Sequence, residues 1–232
     1  MDSRINRKSL FFQTLWKNLN QHIDILVLRN YENFPLDLGN DIDFLIRKNS
    51  IKKVEEIIND TCNMLEFSLH NKSKCYGYFG FTISDNLNIN NLIKVDFFTT
   101  LSKGWMDYAH TEEILSNKIH FKEYFVPLLE HEAYLIFMKE FFMYGYLRDK
   151  YHDKFMNKYA NVHMDEFYKL SRGLILYSSI SSIVDEYHNI HKLKIIVKPT
   201  LLNIFKLKIF LKWLILDVKF KINDKKEINE LL

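Results

Sequence analysis

Positions 41–44 read Asp-Ile-Asp-Phe, within the run Leu38-Gly39-Asn40-Asp41-Ile42-Asp43-Phe44-Leu45-Ile46. A strand sends side chains i and i+2 to the same face. Asp41 and Asp43 therefore project together, while Ile42 and Phe44 turn to the core. Two carboxylates side by side repel unless positive charge lies between them. A divalent cation meets that need, and hard oxygen ligands favour Mg²⁺.

The chain around this pair alternates strands and helices. Residues 7–22 carry Leu10, Phe11, Leu15 and Leu19 at helical spacing,. Ile23 to Leu28 is a short apolar run rich in β-branched residues, expected as a buried strand. A loop with Pro35 and Gly39 covers 30–40, and the next strand spans 42–46. Apolar residues at Ile51, Val54, Ile57, Ile58 and Leu65 predict a helix capped by Ser50,. Residues 75–83 alternate glycine and aromatics and predict a strand, 85–91 a polar turn, and 92–98 a further strand.

From residue 111 the pattern changes. Pro127 opens a helical run over about 128–147, a second run covers about 164–187, and Pro199 precedes an apolar stretch over 201–220,. With six glycines and three prolines in 232 residues, a sandwich of many tight turns is excluded. The expected class is α+β, a small mixed sheet with flanking helices over residues 1–110, then a helical half over 111–232.

Asp96 stands between Val95 and Phe97 in an apolar strand run. A charge there is costly unless it is paired or bound to a metal, so Asp96 joins Asp41 and Asp43 as a candidate. On these residues the chain resembles the nucleotidyltransferase superfamily, the fold of polymerase-β-like enzymes. That family places a Gly-Ser pair after a first strand, an Asp-x-Asp strand nine to thirteen residues on, and a third Asp on a later strand. Here Val27-Leu28-Arg29-Asn30-Tyr31 stands first, and nine residues, 32–40, separate Tyr31 from Asp41. The segment looks most like a branch found with bacterial surface-polysaccharide loci, and the likeness covers about 23–100.

The resemblance implies a metal-dependent transfer of a nucleotidyl group from an NTP to a hydroxyl of a small-molecule or sugar acceptor. Asp41, Asp43 and Asp96 would hold two Mg²⁺ ions, with Asp96 also helping to deprotonate the acceptor. Arg29, Asn30, Tyr31, Asn40 and Lys94 are the candidate nucleotide contacts. Asn30-Tyr31 replaces the Gly-Ser pair, in which glycine admits the phosphates and serine donates to them. Asn30 still offers a donor and Arg29 a charge. The replacement motivates a rival reading, an inactive relative that binds a ligand or partner. A third is a toxin-type enzyme modifying tRNA or protein.

Other features carry plainer readings. His131, Glu132, Lys139 and Glu140 are expected as surface pairs on the helix after Pro127, and Glu130-His131-Glu132 fits no metal motif. In related folds that helix lines the acceptor side, which makes Lys139 a minor candidate. Tyr144, Arg148 and Tyr151 are expected to serve packing and solubility. Residues 192–232 hold ten lysines and four acids, a balance of +6, while 1–191 carry −3 and the whole chain +3. The first 191 residues thus give nucleic acid little to bind. The 201–220 stretch reads as a largely buried helix, with peripheral contact to an anionic membrane as the alternative. Lys208, Lys212, Lys219 and Asp217 within it argue against a spanning helix,. Cys62 and Cys75 lack metal-ligand spacing, and no signal-length apolar run follows the first ten residues. A reduced, cytoplasmic protein is expected, either free or at the inner face of the membrane.

Overall fold

The computed structural model describes residues 7–29, 31–32, 34–35, 41–103, 106–144, 158 and 164–174. Helix α1 (Arg7–His22) leads into strand β1 (Ile25–Val27), and β2 (Asp41–Ile46) follows the loop. A single 3-10 turn (Lys48–Ser50) runs directly into α2 (Ile51–Leu65), then β3 (Phe67–Cys75), β4 (Tyr78–Asp85) and β5 (Asn88–Phe98). These strands form one sheet in the order β1-β2-β5-β4-β3. Only the β2–β5 pairing is parallel. The architecture is a small mixed sheet with flanking helices, the α+β class expected.

The apolar pattern decides which face is buried. Ile25, Val27, Ile42, Phe44, Ile46, Phe79, Phe81, Ile93, Val95 and Phe97 join Phe11, Leu15, Trp16 and Leu19 of α1, and Val54, Ile57 and Ile58 of α2, in one core. Aromatic rings tie the layers together. Trp16 stacks on Phe44 at 6.1 Å, Phe44 on Phe97 at 5.3 Å and Phe97 on Phe79 at 5.1 Å. Each such ring removes a large apolar area from water and adds an orientation-dependent attraction of about 1 kcal/mol. With one face given to the core, the alternation of β2 turns Asp41 and Asp43 to the other.

Several expectations shift in detail. Ser50 does not cap α2. Its backbone is already helical and its hydroxyl makes no capping bond, because the 3-10 turn supplies the lead-in. Its Oγ approaches Asn49 Oδ1 at 3.4 Å instead. The polar turn narrows to Asn86 and Leu87, and β5 begins at Asn88. Strand β3 is polar and mostly exposed past Leu69, so no apolar alternation announces it. Its ladder to β4 makes it a strand.

Beyond the sheet lie the hairpin β6 (Leu101–Lys103) and β7 (Met106–Ala109), helix α3 (Thr111–Ser116), and the hairpin β8 (Ile119–Phe121) and β9 (Tyr124–Val126). Tyr124 and Val126 belong to the central core, and the Trp16 indole donates to the Glu123 carbonyl at 3.0 Å. Helix α4 (Leu129–Tyr144) matches the run after Pro127. Its polar residues are not surface pairs. His131, Glu132 and Glu140 are buried, since α4 is enclosed on all sides from Ala133 to Met138. Lys139 is half-buried. Helix α5 (Met164–Ser171) ends before Gly173, which adopts φ +82°. The rest of the run expected over 164–187, and the 201–220 stretch, lie outside the described residues, as do Arg148 and Tyr151. No helix among the described residues is long and apolar enough to cross a membrane.

Candidate metal centre

Parallel pairing of β2 with β5 sets Asp41 opposite Lys94 and Asp43 opposite Asp96. All four side chains therefore leave the same face of the sheet. Carboxylate oxygens of Asp41, Asp43 and Asp96 lie within 4.8 Å of one another. Asp43 is buried at 4% exposure, and Asp41 and Asp96 are half-buried toward the opening. The three acids predicted from sequence thus converge.

Their environment is poor in compensating charge. Arg29 follows the end of β1, where the Leu28 N–H donates to the Asp43 carbonyl at 2.9 Å. Its Nε donates to Asp43 Oδ2. Asp43 Oδ1 is buried with no hydrogen-bond partner. Two like charges about 5 Å apart repel by roughly 3 kcal/mol at an effective dielectric of about 20. Three mutual repulsions outweigh what one guanidinium offsets. The carboxyls respond accordingly. Burial pushes Asp43 above the usual range, Arg29 pulls against it, and Asp41 and Asp96 push further the same way. Asp96 is also raised, first by burial, with a hydrogen bond from Tyr78 opposing and Asp41 adding.

An orphaned, buried carboxylate oxygen facing two more carboxylates fits a hard divalent cation. The donor set is all oxygen, with neither imidazole nor thiolate, which suits Mg²⁺ rather than Zn²⁺.

The other predicted residues are placed unevenly. Lys94 is exposed at the rim, and its charge lowers the Asp96 carboxyl slightly. Tyr31 is built into a separate network. Its hydroxyl donates to Glu132 Oε2 at 2.6 Å, and its ring packs edge-on against Phe121. Lys158 donates to both Glu132 oxygens at 3.1 and 2.9 Å and to Glu32 Oε1 at 3.2 Å. Asn30 and Asn40 lie outside the described residues.

Three residues beside the centre escaped the sequence reading. Tyr78 on β4 donates its hydroxyl to Asp96 Oδ1 at 2.9 Å. Gly80 sits directly opposite Asp96, and a glycine inside a strand is a signal for close approach. Tyr108 on β7 is near enough for the charges of Arg29 and Asp43 to act on its phenol, which burial raises most. Nothing in its sequence surroundings marked it. The chain matches no protein-family model, no curated protein and no solved structure.

Proposed function

We propose that this protein is a metal-dependent nucleotidyltransferase, moving an NMP from an NTP to a hydroxyl of a small-molecule or sugar acceptor. One observation carries the reading. Three carboxylates from two neighbouring parallel strands meet on one sheet face, around a buried oxygen with no partner. The resemblance of residues 23–100 to the nucleotidyltransferase superfamily gives that centre its reaction. A sugar intermediate of surface-polysaccharide assembly is the acceptor class that resemblance favours.

Asp41, Asp43 and Asp96 would hold Mg²⁺, two ions by the family's pattern. Bound divalent ions supply positive charge to the attacking and leaving oxygens. The chain's own groups do the rest. The acceptor oxygen bonds to the α-phosphorus, the bond to pyrophosphate breaks, and half-buried Asp96 takes the hydroxyl proton. Lys94 at the rim and Arg29 beside Asp43 are the cations available to phosphate oxygens.

The test is turnover of each NTP with Mg²⁺, with the products separated as pyrophosphate and nucleotidylated acceptor. Asp41→Asn and Asp43→Asn should each abolish it while the circular dichroism spectrum stays unchanged. Undiminished turnover in either variant removes the proposal.

A second reading has its own observation. The hydroxyl at the second position of the Gly-Ser pair belongs here to Tyr31, and it is committed to Glu132. A non-catalytic, ligand- or partner-binding protein follows if Mg²⁺ binds and no NTP does. Calorimetry with Mg²⁺ and each nucleotide separates the two.

A further inference from the structure

We propose that Tyr78 is a positioning residue that holds Asp96 in its metal-ligating orientation, and that Gly80 is glycine to let it do so. The inference rests on the metal-centre reading of the three aspartates. Strand β4 lies between β5 and the edge strand β3, and its register puts Gly80 between Asp96 on one side and Ser73 on the other. Tyr78 is two residues from Gly80 on the same face, and its ring rests against Phe98 at 5.4 Å. From there the hydroxyl reaches across the strand to Asp96 Oδ1 at 2.9 Å.

That reach needs an empty place at residue 80. A Cβ there would stand 2.3 Å from the Tyr78 hydroxyl, 2.7 Å from Asp96 Oδ1 and 2.9 Å from Ser73 Oγ. All three lie below real Cβ contacts. Gly80 has no positive φ to explain it, so the reason is room, and the room is filled by the Tyr78–Asp96 bond. A phenol with an ordinary pKa of about 10 stays protonated at neutral pH and donates. It thereby fixes the plane of the Asp96 carboxylate and leaves the other oxygen, Oδ2, unobstructed by Tyr78. Hydrogen bonds of this kind orient metal-ligating carboxylates and influence affinity by about 10- to 100-fold.

A tyrosine over a strand glycine is also a packing device. The two roles separate cleanly. Packing needs the ring, whereas positioning needs the hydroxyl. Tyr78→Phe keeps the ring and removes the donor. The experiment measures Mn²⁺ binding by electron paramagnetic resonance in the full chain without nucleotide, beside thermal unfolding in EDTA.

Tyr78→Phe should bind Mn²⁺ about tenfold more weakly with its unfolding midpoint in EDTA little moved. Gly80→Ala should show the same weakening. The double variant should be less than additive, because both changes act on one bond. Wild-type binding in Tyr78→Phe overturns the positioning role and leaves the metal centre standing. Full additivity in the double variant overturns the claim that Gly80 acts through Tyr78. A wild-type chain that binds no Mn²⁺ overturns the metal centre and this inference together.

Discussion

Arg29, paired with Asp43, is the one cation seen in direct contact with any of the three aspartates among the described residues, and replacing it tests how the centre balances charge. Arg29→Met keeps the length and the apolar stem but removes the guanidinium. Breaking a buried ion pair costs about 3–5 kcal/mol. Arg29 is 22% exposed and Asp43 can take up a proton, so the lower end applies, about 3 kcal/mol. At about 2–4 °C per kcal/mol for a chain of this size, the unfolding midpoint in EDTA should fall by about 6–12 °C.

Adding Mg²⁺ should then reverse much of the loss. In the wild type an ion taken up by Oδ1 meets the positive charge of the guanidinium held on Oδ2 of the same carboxylate. If the repulsion between the guanidinium and the ion costs about 2 kcal/mol, Mg²⁺ binds the wild type about thirtyfold less tightly than the variant. At one hundred times the variant's Kd, the variant gains about 2.7 kcal/mol and the wild type about 0.9 kcal/mol. Differential scanning calorimetry with and without Mg²⁺ reads both numbers. An equal deficit in EDTA and in Mg²⁺ refutes the repulsion. So does weaker Mg²⁺ binding in the variant, which would mean that Arg29 orients Asp43 for the ion more than it repels it.

Two further outcomes follow from groups outside the centre. Burial alone would raise the Asp85 carboxyl, but hydrogen bonds from Arg7 and from the Leu87 N–H outweigh it and hold the group below its ordinary value. A depressed carboxyl stabilises the fold above its unfolded pKa of about 3.9 and loses that contribution as pH falls through the lower folded value. Arg7→Met should therefore cost about 2 kcal/mol at pH 7, and the gap to the wild type should narrow in acid titrations below about pH 4. A constant gap down to pH 2 contradicts the assignment. The thiols should divide as well. Cys75 is exposed, while burial pushes the Cys62 thiol up to about 11. Ellman's reagent at pH 8 should label Cys75 in the native protein and reach Cys62 only after denaturation, and equal rates at both would contradict the burial.

The parts of this fold readable from sequence are those where periodicity and burial coincide. Helix α2 spans Ile51–Leu65 because its apolar residues recur at helical spacing and α1 and the sheet cover them. Strand β2 was legible because Ile42 and Phe44 alternate with two aspartates that an apolar core does not accept. Strand β3 was not, since its side chains are polar on both faces and its identity comes from backbone bonds to β4. The burial of Glu132 was hidden for a related reason. Its partner Tyr31 is 101 residues away, and local spacing on α4 suggested only solvent-facing pairs. The three aspartates were legible since each charge interrupts an apolar run. Tyr78 was not, because one aromatic among many in 75–83 gives no sign of which neighbour it will bond.

On the resemblance that the proposed function rests on, Tyr31 takes the place of the serine in the family's Gly-Ser pair, and its hydroxyl is already engaged. In the family the second residue of the Gly-Ser pair offers a hydroxyl to phosphate. Tyr31 holds its hydroxyl 2.6 Å from Glu132, and burial and the Glu132 charge together raise its pKa far above the ordinary value. Lys158 pairs with the same Glu132 carboxylate. A satisfied buried network of this kind is costly to open, since freeing the Tyr31 hydroxyl takes a donor from a buried carboxylate in a low dielectric. Tyr31 is thus held by its side chain, where the family has a serine beside a glycine. Under the proposed function, phosphate recognition passes to the cations flanking the aspartates, Arg29 and Lys94. Charge then takes over from backbone fit, so nucleotide affinity in this protein should weaken with added salt more steeply than a glycine-loop site would allow.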